Sequence, residues 1–265
     1  SIESVIKNSD ILLFVIPAAF LEAALKDVNP AWLDGKILVS AIKGLVPQTG
    51  QIVGAYLESK FTADRSHIGV ITGPCHAEEV AFEKLSYLTV ASESIETATK
   101  IKSLLNNRYI KTIVSDDIYG TEYSAVLKNV YAMACGICHG LGNGDNFQAV
   151  LISNALREIK RFIDVVHPIK RDIKDSAYLG DLLVTAYSQF SRNRTFGSML
   201  GKGYTVTAAQ MEMNMIAEGY YAAKSIYELN KKYEVNMPIL EFVHSIIYGG
   251  VPLRQALETL ENSLD

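Results

Sequence analysis

Lys128 lies in Ser124-Ala-Val-Leu-Lys-Asn-Val-Tyr-Ala132, a run of small and apolar residues at helical spacing. An ammonium there either snorkels its head into water or stays partly desolvated, where its proton becomes available for acid–base work near neutral pH. Spacing alone leaves both open. Asp181 and Thr185 stand four apart in Gly180-Asp-Leu-Leu-Val-Thr-Ala-Tyr187 and share a helix face. Ser191-Arg192-Asn193 then offers a hydroxyl, a guanidinium fork and an amide. That set suits a phosphate, but spacing alone favours a helix cap followed by a surface loop. Thr72-Gly-Pro-Cys-His-Ala-Glu-Glu-Val80 is a glycine turn entering a helix: an ordinary connection, or a place where exposed amides receive an anion. His76 within it reads as a local hydrogen-bonding group.

Other chemistries find no pattern. No His, Cys or carboxylate spacing reads as a metal site, and neither a P-loop nor a G-x-S-x-G elbow occurs. Cys135 and Cys138 form a C-x-x-C pair, but in an apolar helical run without a second ligand pair. They read as buried structural thiols, and the three cysteines fit a reducing cytoplasm. Gly140-Leu-Gly-Asn-Gly144 reads as a turn between helices.

The elements that must position these residues fall into two kinds. Up to residue 116, strands at Ile11–Ile16, Lys36–Ile42, Ile68–Thr72, Leu88–Ala91 and Ile110–Val114 alternate with helices at Ala18–Val28, Gly50–Phe61 and Ile95–Asn106. The first strand, after one short helix, reads as buried on both faces. Such alternation predicts βαβ units and a mostly parallel sheet, with ligands at the carboxyl ends of the strands, where Lys43-Gly44 and Gly73-Pro74 fall. From 117 to 265 the apolar spacing turns helical: Gly120–Gly140, Asp145–Val166, Ala177–Gln189, Ala208–Tyr233, Pro238–Ile247 and Pro252–Glu261. The expected fold is α/β, a Rossmann-like parallel-sheet domain (1–116, incomplete at its start) followed by an all-helical domain (117–265). The basic stretch from Arg157 to Lys174 is interleaved with acids and reads as a solvated face.

Composition agrees. The 265 residues are 49% apolar and include 14 Tyr, 9 Phe and one Trp, enough for a sizeable core. With 25 basic and 29 acidic residues the net charge is −4, which argues against a nucleic-acid partner. No run approaches about 18 uninterrupted apolar residues, so no membrane span is expected. Ile11 to Phe20 is broken by Pro17.

Taken in order, Lys43-Gly44, Gly73-Pro74 with Ala77-Glu78-Glu79, Leu127-Lys128-Asn129, Gly180-Asp181-Leu182, Ser191-Arg192-Asn193 and Glu218-Gly219 resemble the NAD(P)-dependent glycerol-3-phosphate dehydrogenase family, in its bacterial soluble form. Gly142-Asn-Gly-Asp-Asn146 and Met237-Pro238 also look like family segments. The resemblance implies hydride exchange between NAD or NADP and the pair glycerol 3-phosphate and dihydroxyacetone phosphate, supplying glycerophospholipid synthesis. It makes Lys128 the catalytic acid/base and Asp181 its partner. Lys43, Gly73, Cys75, Thr185, Ser191, Arg192 and Asn193 fall to the substrate, and Lys43, Ala77, Arg192 and Glu218 to the cofactor. A cytoplasmic homodimer is implied too.

Three departures stand out. The family has Ser where this chain has Cys75. The segment His167 to Tyr178 lacks the glycines common before Gly180-Asp181. The family's opening strand, its G-x-G-x-x-[GA] loop and the strand reading the ribose have no counterpart, a front of on the order of 60 residues. That front would choose between NAD and NADP, and without it tight cofactor binding is not expected. The alternatives are a related two-domain hydroxy-acid dehydrogenase and a non-catalytic truncated paralogue.

Overall fold

A computed structural model describes residues 1–213, 215 and 217–265. The chain divides into two compact units, Ser1–Glu122 and Tyr123–Asp265.

The first unit opens with α1 (Ile2–Lys7), then β1 (Ile11–Phe14), a 3-10 turn at Ala18–Phe20 and α2 (Leu21–Ala24). β2 (Ile37–Ser40), α3 (Val53–Phe61), β3 (Ile68–Thr72), α4 (Ala77–Ala81), β4 (Ser86–Ala91), α5 (Ile95–Leu105) and β5 (Ile110–Ser115) follow. Among the described residues the strands form one sheet in the order β1-β2-β3-β4-β5, parallel except between β3 and β4. β2 and β3 are buried along their whole length, because alternate residues feed two cores. Leu38 and Ile68 pack with Leu21, Leu57 and Phe61 on one face, while Val39 and Ile71 pack with Ala98 and Ile101 on the other.

β1 departs from the doubly buried strand expected of it. It is an edge strand in which only Leu12 is buried, while Leu13 is half exposed and Ile11, on the same face, packs only partly against the core. The helix expected over Ala18–Val28 shrinks to the 3-10 turn and the single turn of α2, because Asn29 and Pro30 start a new turn of their own.

α6 (Ile118–Gly140) runs from the first unit into the second. After it come α7 (Asp145–Val166), a π-helical turn at Ser176–Gly180, α8 (Asp181–Tyr187), α9 (Arg192–Gly201), α10 (Val206–Glu212), α11 (Glu218–Tyr233), α12 (Pro238–Ile247) and α13 (Leu253–Glu261). The single helix expected over Ala208–Tyr233 is therefore two, α10 and α11, with Met213 and Ala217 both extended between them. The loop expected after Ser191 is instead α9. No helix among the described residues is long and apolar enough to cross a membrane. The basic stretch is only partly a solvated face. Glu158 is fully buried, and Arg171 is buried where it bonds Asp164 and the His167 carbonyl, each at 2.7 Å.

Candidate active site

In the helical unit α6 is buried almost all round, and Lys128 on it is 4% exposed. It does not snorkel. Its ammonium meets the carboxylate of Asp181, 53 residues away and 1% exposed, in a buried ion pair. Each ion compensates the other, so either alone would be an uncompensated charge in the core. Asp181 is the first residue of α8, and Thr185, one turn on, donates its hydroxyl to the Asp181 carbonyl at 2.7 Å. That back-bond fixes the Thr185 rotamer and leaves its oxygen free to accept.

α9 begins with its own cap: the Ser191 hydroxyl oxygen accepts the Arg194 amide at 3.3 Å. Arg192 is exposed at the first helical position, while Ser191 and Asn193 on either side are buried. The amide of Asn193 is engaged inside the protein. Its nitrogen donates to Asn129 Oδ1 at 2.9 Å, and its oxygen accepts the Gly219 amide at 2.8 Å. Glu218 opens α11, partly buried. Burial raises its carboxyl above the usual range, and the Arg192 charge partly offsets this.

Four glycines allow α9 to reach α6. A Cβ at Gly136 would lie 2.8 Å from the Ser198 amide nitrogen, and one at Gly197 2.9 Å from the Met133 carbonyl carbon. Cβ atoms at Gly140 and Gly201 would each lie 2.9 Å from the other glycine's Cα. The backbones touch, so the helix bearing Arg192 crosses the helix bearing Lys128 at a fixed separation.

In the sheet unit, Lys43 follows β2, and Gly73, Cys75 and Ala77 follow β3, the last as the first residue of α4. β2 and β3 are paired in parallel, so both loops leave the same edge. At that edge the Thr72 hydroxyl is buried with no hydrogen-bond partner among the described residues. The C-x-x-C pair is two free, buried thiols, and burial pushes both Cys135 and Cys138 up to about 12.

The family model described as NAD-dependent glycerol-3-phosphate dehydrogenase N-terminus matches residues 1–98, and the corresponding C-terminus model matches residues 117–258. The chain belongs to this family. It is 34% identical to the glycerol-3-phosphate dehydrogenase [NAD(P)+] of Streptococcus sanguinis (strain SK36), over 99% of this chain and 77% of that protein. Identity to the Bacillus subtilis (strain 168) protein of the same name is 34%, over 96% of this chain and 74% of that one. The crystal structure of glycerol-3-phosphate dehydrogenase from Coxiella burnetii superposes with a TM-score of 0.92 at 26% identity, over 98% of this chain and 79% of that chain.

The glycerol-3-phosphate dehydrogenase family uses NAD or NADP, and the sheet unit fits a dinucleotide. Parallel strands end at one edge, two loops leave there, and the unsatisfied Thr72 hydroxyl waits for a polar partner. Lys43 and Gly73 lie in those two loops, and Ala77 opens α4 just beyond the second. Sequence reasoning quoted Asn129 and Gly219 but gave them no task, and it passed over the crossing glycines. A signal existed for the latter: Gly136 and Gly140, like Gly197 and Gly201, are spaced four apart.

Proposed function

We propose that the protein interconverts glycerol 3-phosphate and dihydroxyacetone phosphate, with Lys128 as the acid/base. NAD(P), when bound, supplies or accepts the hydride. As the carbonyl of dihydroxyacetone phosphate is reduced, the Lys128 ammonium donates its proton to the carbonyl oxygen. In reverse the neutral amine takes that proton from the hydroxyl. Asp181 keeps the lysine charged and aimed, so the positive charge stands ready where the alkoxide develops. Thr185 accepts from a substrate hydroxyl. Arg192, at the start of α9, and Ser191 beside it bind the phosphate dianion, where the helix N-terminus also favours negative charge.

Lys43, Gly73, Cys75 and Ala77 serve substrate and cofactor from the sheet unit, and Glu218 serves the cofactor from the helical one. The thiol of Cys75 fills the volume of the family's hydroxyl as a weaker hydrogen-bonding group. A homodimer and a cytoplasmic location go with this reading on the strength of the family.

The observation that carries it is the buried Lys128–Asp181 pair in a helical unit that also presents Arg192. Initial rates with dihydroxyacetone phosphate, following NADH and NADPH oxidation separately, test it. Lys128→Ala is expected to lose on the order of 10³-fold or more in kcat. Turnover in that variant comparable to the parent would remove Lys128 from the chemistry, and a parent inactive with both nucleotides would defeat the whole reading.

A further inference from the structure

Lys43 is carried on the connection between β2 and α3, residues 41–52, and side-chain oxygens buried in the sheet unit brace that connection at both ends. At the strand end the hydroxyl oxygen of Ser40, a fully buried residue, accepts the Ile42 amide at 3.2 Å, just before Lys43. At the helix end the brace comes from α6. Glu122, 3% exposed, accepts the Gly54 amide at 3.1 Å on Oε2 and 3.4 Å on Oε1, and takes the Val53 amide as well.

These two amides are first-turn donors of α3, and Ile52 at the cap position has no side chain able to accept them. A Ser or Asp there would cap the helix without burying a distant carboxyl. The approach of Glu122 is close: a Cβ on Gly54 would lie 2.9 Å from Glu122 Oε2. Burial pushes the carboxyl up to about 8 while the two amides oppose the shift, so near neutral pH the protonated acid prevails and accepts through its carbonyl oxygen. Between the braces the connection is itself ordered. Ile42, Leu45, Val46 and Ile52 are buried, the Val46 amide donates to the Gln51 carbonyl at 2.8 Å, and the Gly50 amide donates to the Val46 carbonyl at 2.8 Å. A shift at the start of α3 is therefore passed through Gln51 to Val46, close behind Lys43.

We propose that Glu122 is a positioning residue for Lys43: through the first turn of α3 it holds the β2–α3 connection in the geometry that presents Lys43 to substrate and cofactor. The proposal rests on the dehydrogenase reading for its kinetic consequence but not for its structural one. A binding group that keeps its competent geometry for about a tenth of the time weakens apparent affinity about tenfold.

The test sets Glu122→Met, which fills the space without a good acceptor, beside Glu122→Gln, which keeps an oxygen for the Gly54 amide. Initial rates are measured in the parent and in Lys43→Ala, together with hydrogen–deuterium exchange of the amides of residues 41–46. Glu122→Met is expected to raise the Michaelis constants for dihydroxyacetone phosphate and nucleotide about tenfold, and Glu122→Gln to leave them near the parent. In Lys43→Ala, adding Glu122→Met should change them by less than about twofold, because the residue it positions is gone. Exchange at 41–46 should accelerate about tenfold in Glu122→Met and stay slow in Glu122→Gln. Equal losses in both backgrounds would show that Glu122 does not act through Lys43 and overturn the proposal. Unchanged constants with only stability lowered would make Glu122 a plain helix cap and overturn it as well. If Glu122→Met fails to fold, Glu122→Asp, one methylene short of the amides, goes through the same cycle with the same outcomes expected. If the parent proves inactive, the dehydrogenase reading falls and exchange decides alone: faster exchange at 41–46 in Glu122→Met but not in Glu122→Gln supports the brace, and unaltered exchange refutes it.

Discussion

Two fully buried carboxylates of the helical unit are held by opposite means. Asp181 faces the ammonium of Lys128. Glu158 faces no cation at close range. It accepts from the Ile239 amide at 2.9 Å, the Leu240 amide at 3.0 Å and the Tyr131 hydroxyl at 3.1 Å, standing as a remote cap on α12. One region stores two full charges in the core, and the other sets one carboxylate against amide dipoles. Burial raises the Glu158 carboxyl to about 7, with the three hydrogen bonds and the more distant Arg161 charge only partly opposing it. A buried ion pair is rarely the stablest filling of a core. An ion pair at Lys128 and Asp181, against a cap alone at Glu158, is the contrast expected if the first place serves the proposed chemistry and the second serves architecture.

The largest test of that contrast is to take away the cation. Lys128→Met leaves Asp181 as an uncompensated buried charge and is expected to cost about 3–5 kcal/mol of stability by urea denaturation, in addition to the loss of turnover. Adding Asp181→Leu to it should bring stability back to within about 1 kcal/mol of the parent, or beyond, while activity stays lost. Were Lys128→Met as stable as the parent, the pair would not be the compensated couple its geometry describes.

Next in size is the crossing that brings α9 to α6. Gly197→Ala gains about 1 kcal/mol of helix propensity but forces a methyl onto the Met133 backbone, for a net loss of roughly 1–3 kcal/mol. Gly144, the residue capping α7, has nothing within 4 Å of a Cβ, so in Gly144→Ala the poorer cap is offset by the lower freedom of Ala in the unfolded chain, and stability should shift by less than about 1 kcal/mol. Equal effects from the two substitutions, compared by thermal melts, would mean that the crossing gives way easily.

The same contrast explains how far the chain could be read in advance. The sheet unit was legible because its signals are local. Ile68–Thr72 is a continuous apolar run ended by Gly73, and α5 is announced by Ser94, whose hydroxyl accepts the Thr97 amide at 3.2 Å. Lys128, Asp181 and Arg192 were nameable from the ordered motif. What could not be read is what holds them. α3, α11 and α12 have Ile52, Ala217 and Met237 at their cap positions, none able to accept, and take their acceptors from Glu122, Asn193 and Glu158 instead. These partners lie 68, 26 and 81 residues away, beyond any local pattern. The α10–α11 break was missed for a related reason: Ala217 starts α11 without a Ser, Thr, Asp or Asn to mark it.

A pH dependence shows which way the Glu158 arrangement leans. Its carboxyl binds a proton up to about 7 in the folded chain against an ordinary value of 4.5, so between those values the folded state holds more proton than the unfolded one. Stability contributed by this group must therefore fall as pH rises through that window and level off above it. Glu158→Gln keeps an oxygen for the Leu240 amide and the Tyr131 hydroxyl but cannot ionise, which makes it a mimic of the protonated form. The stability of Glu158→Gln relative to the parent should thus rise by about 2 kcal/mol between about pH 5 and about pH 7, and change little more up to about pH 8. Glu122 is pushed up to about 8 by burial against the Val53 and Gly54 amides and remains in both proteins, so its contribution cancels from the difference. A difference constant across the range would mean that Glu158 titrates alike folded and unfolded, and that the amides of α12 compensate its charge as fully as Lys128 compensates Asp181.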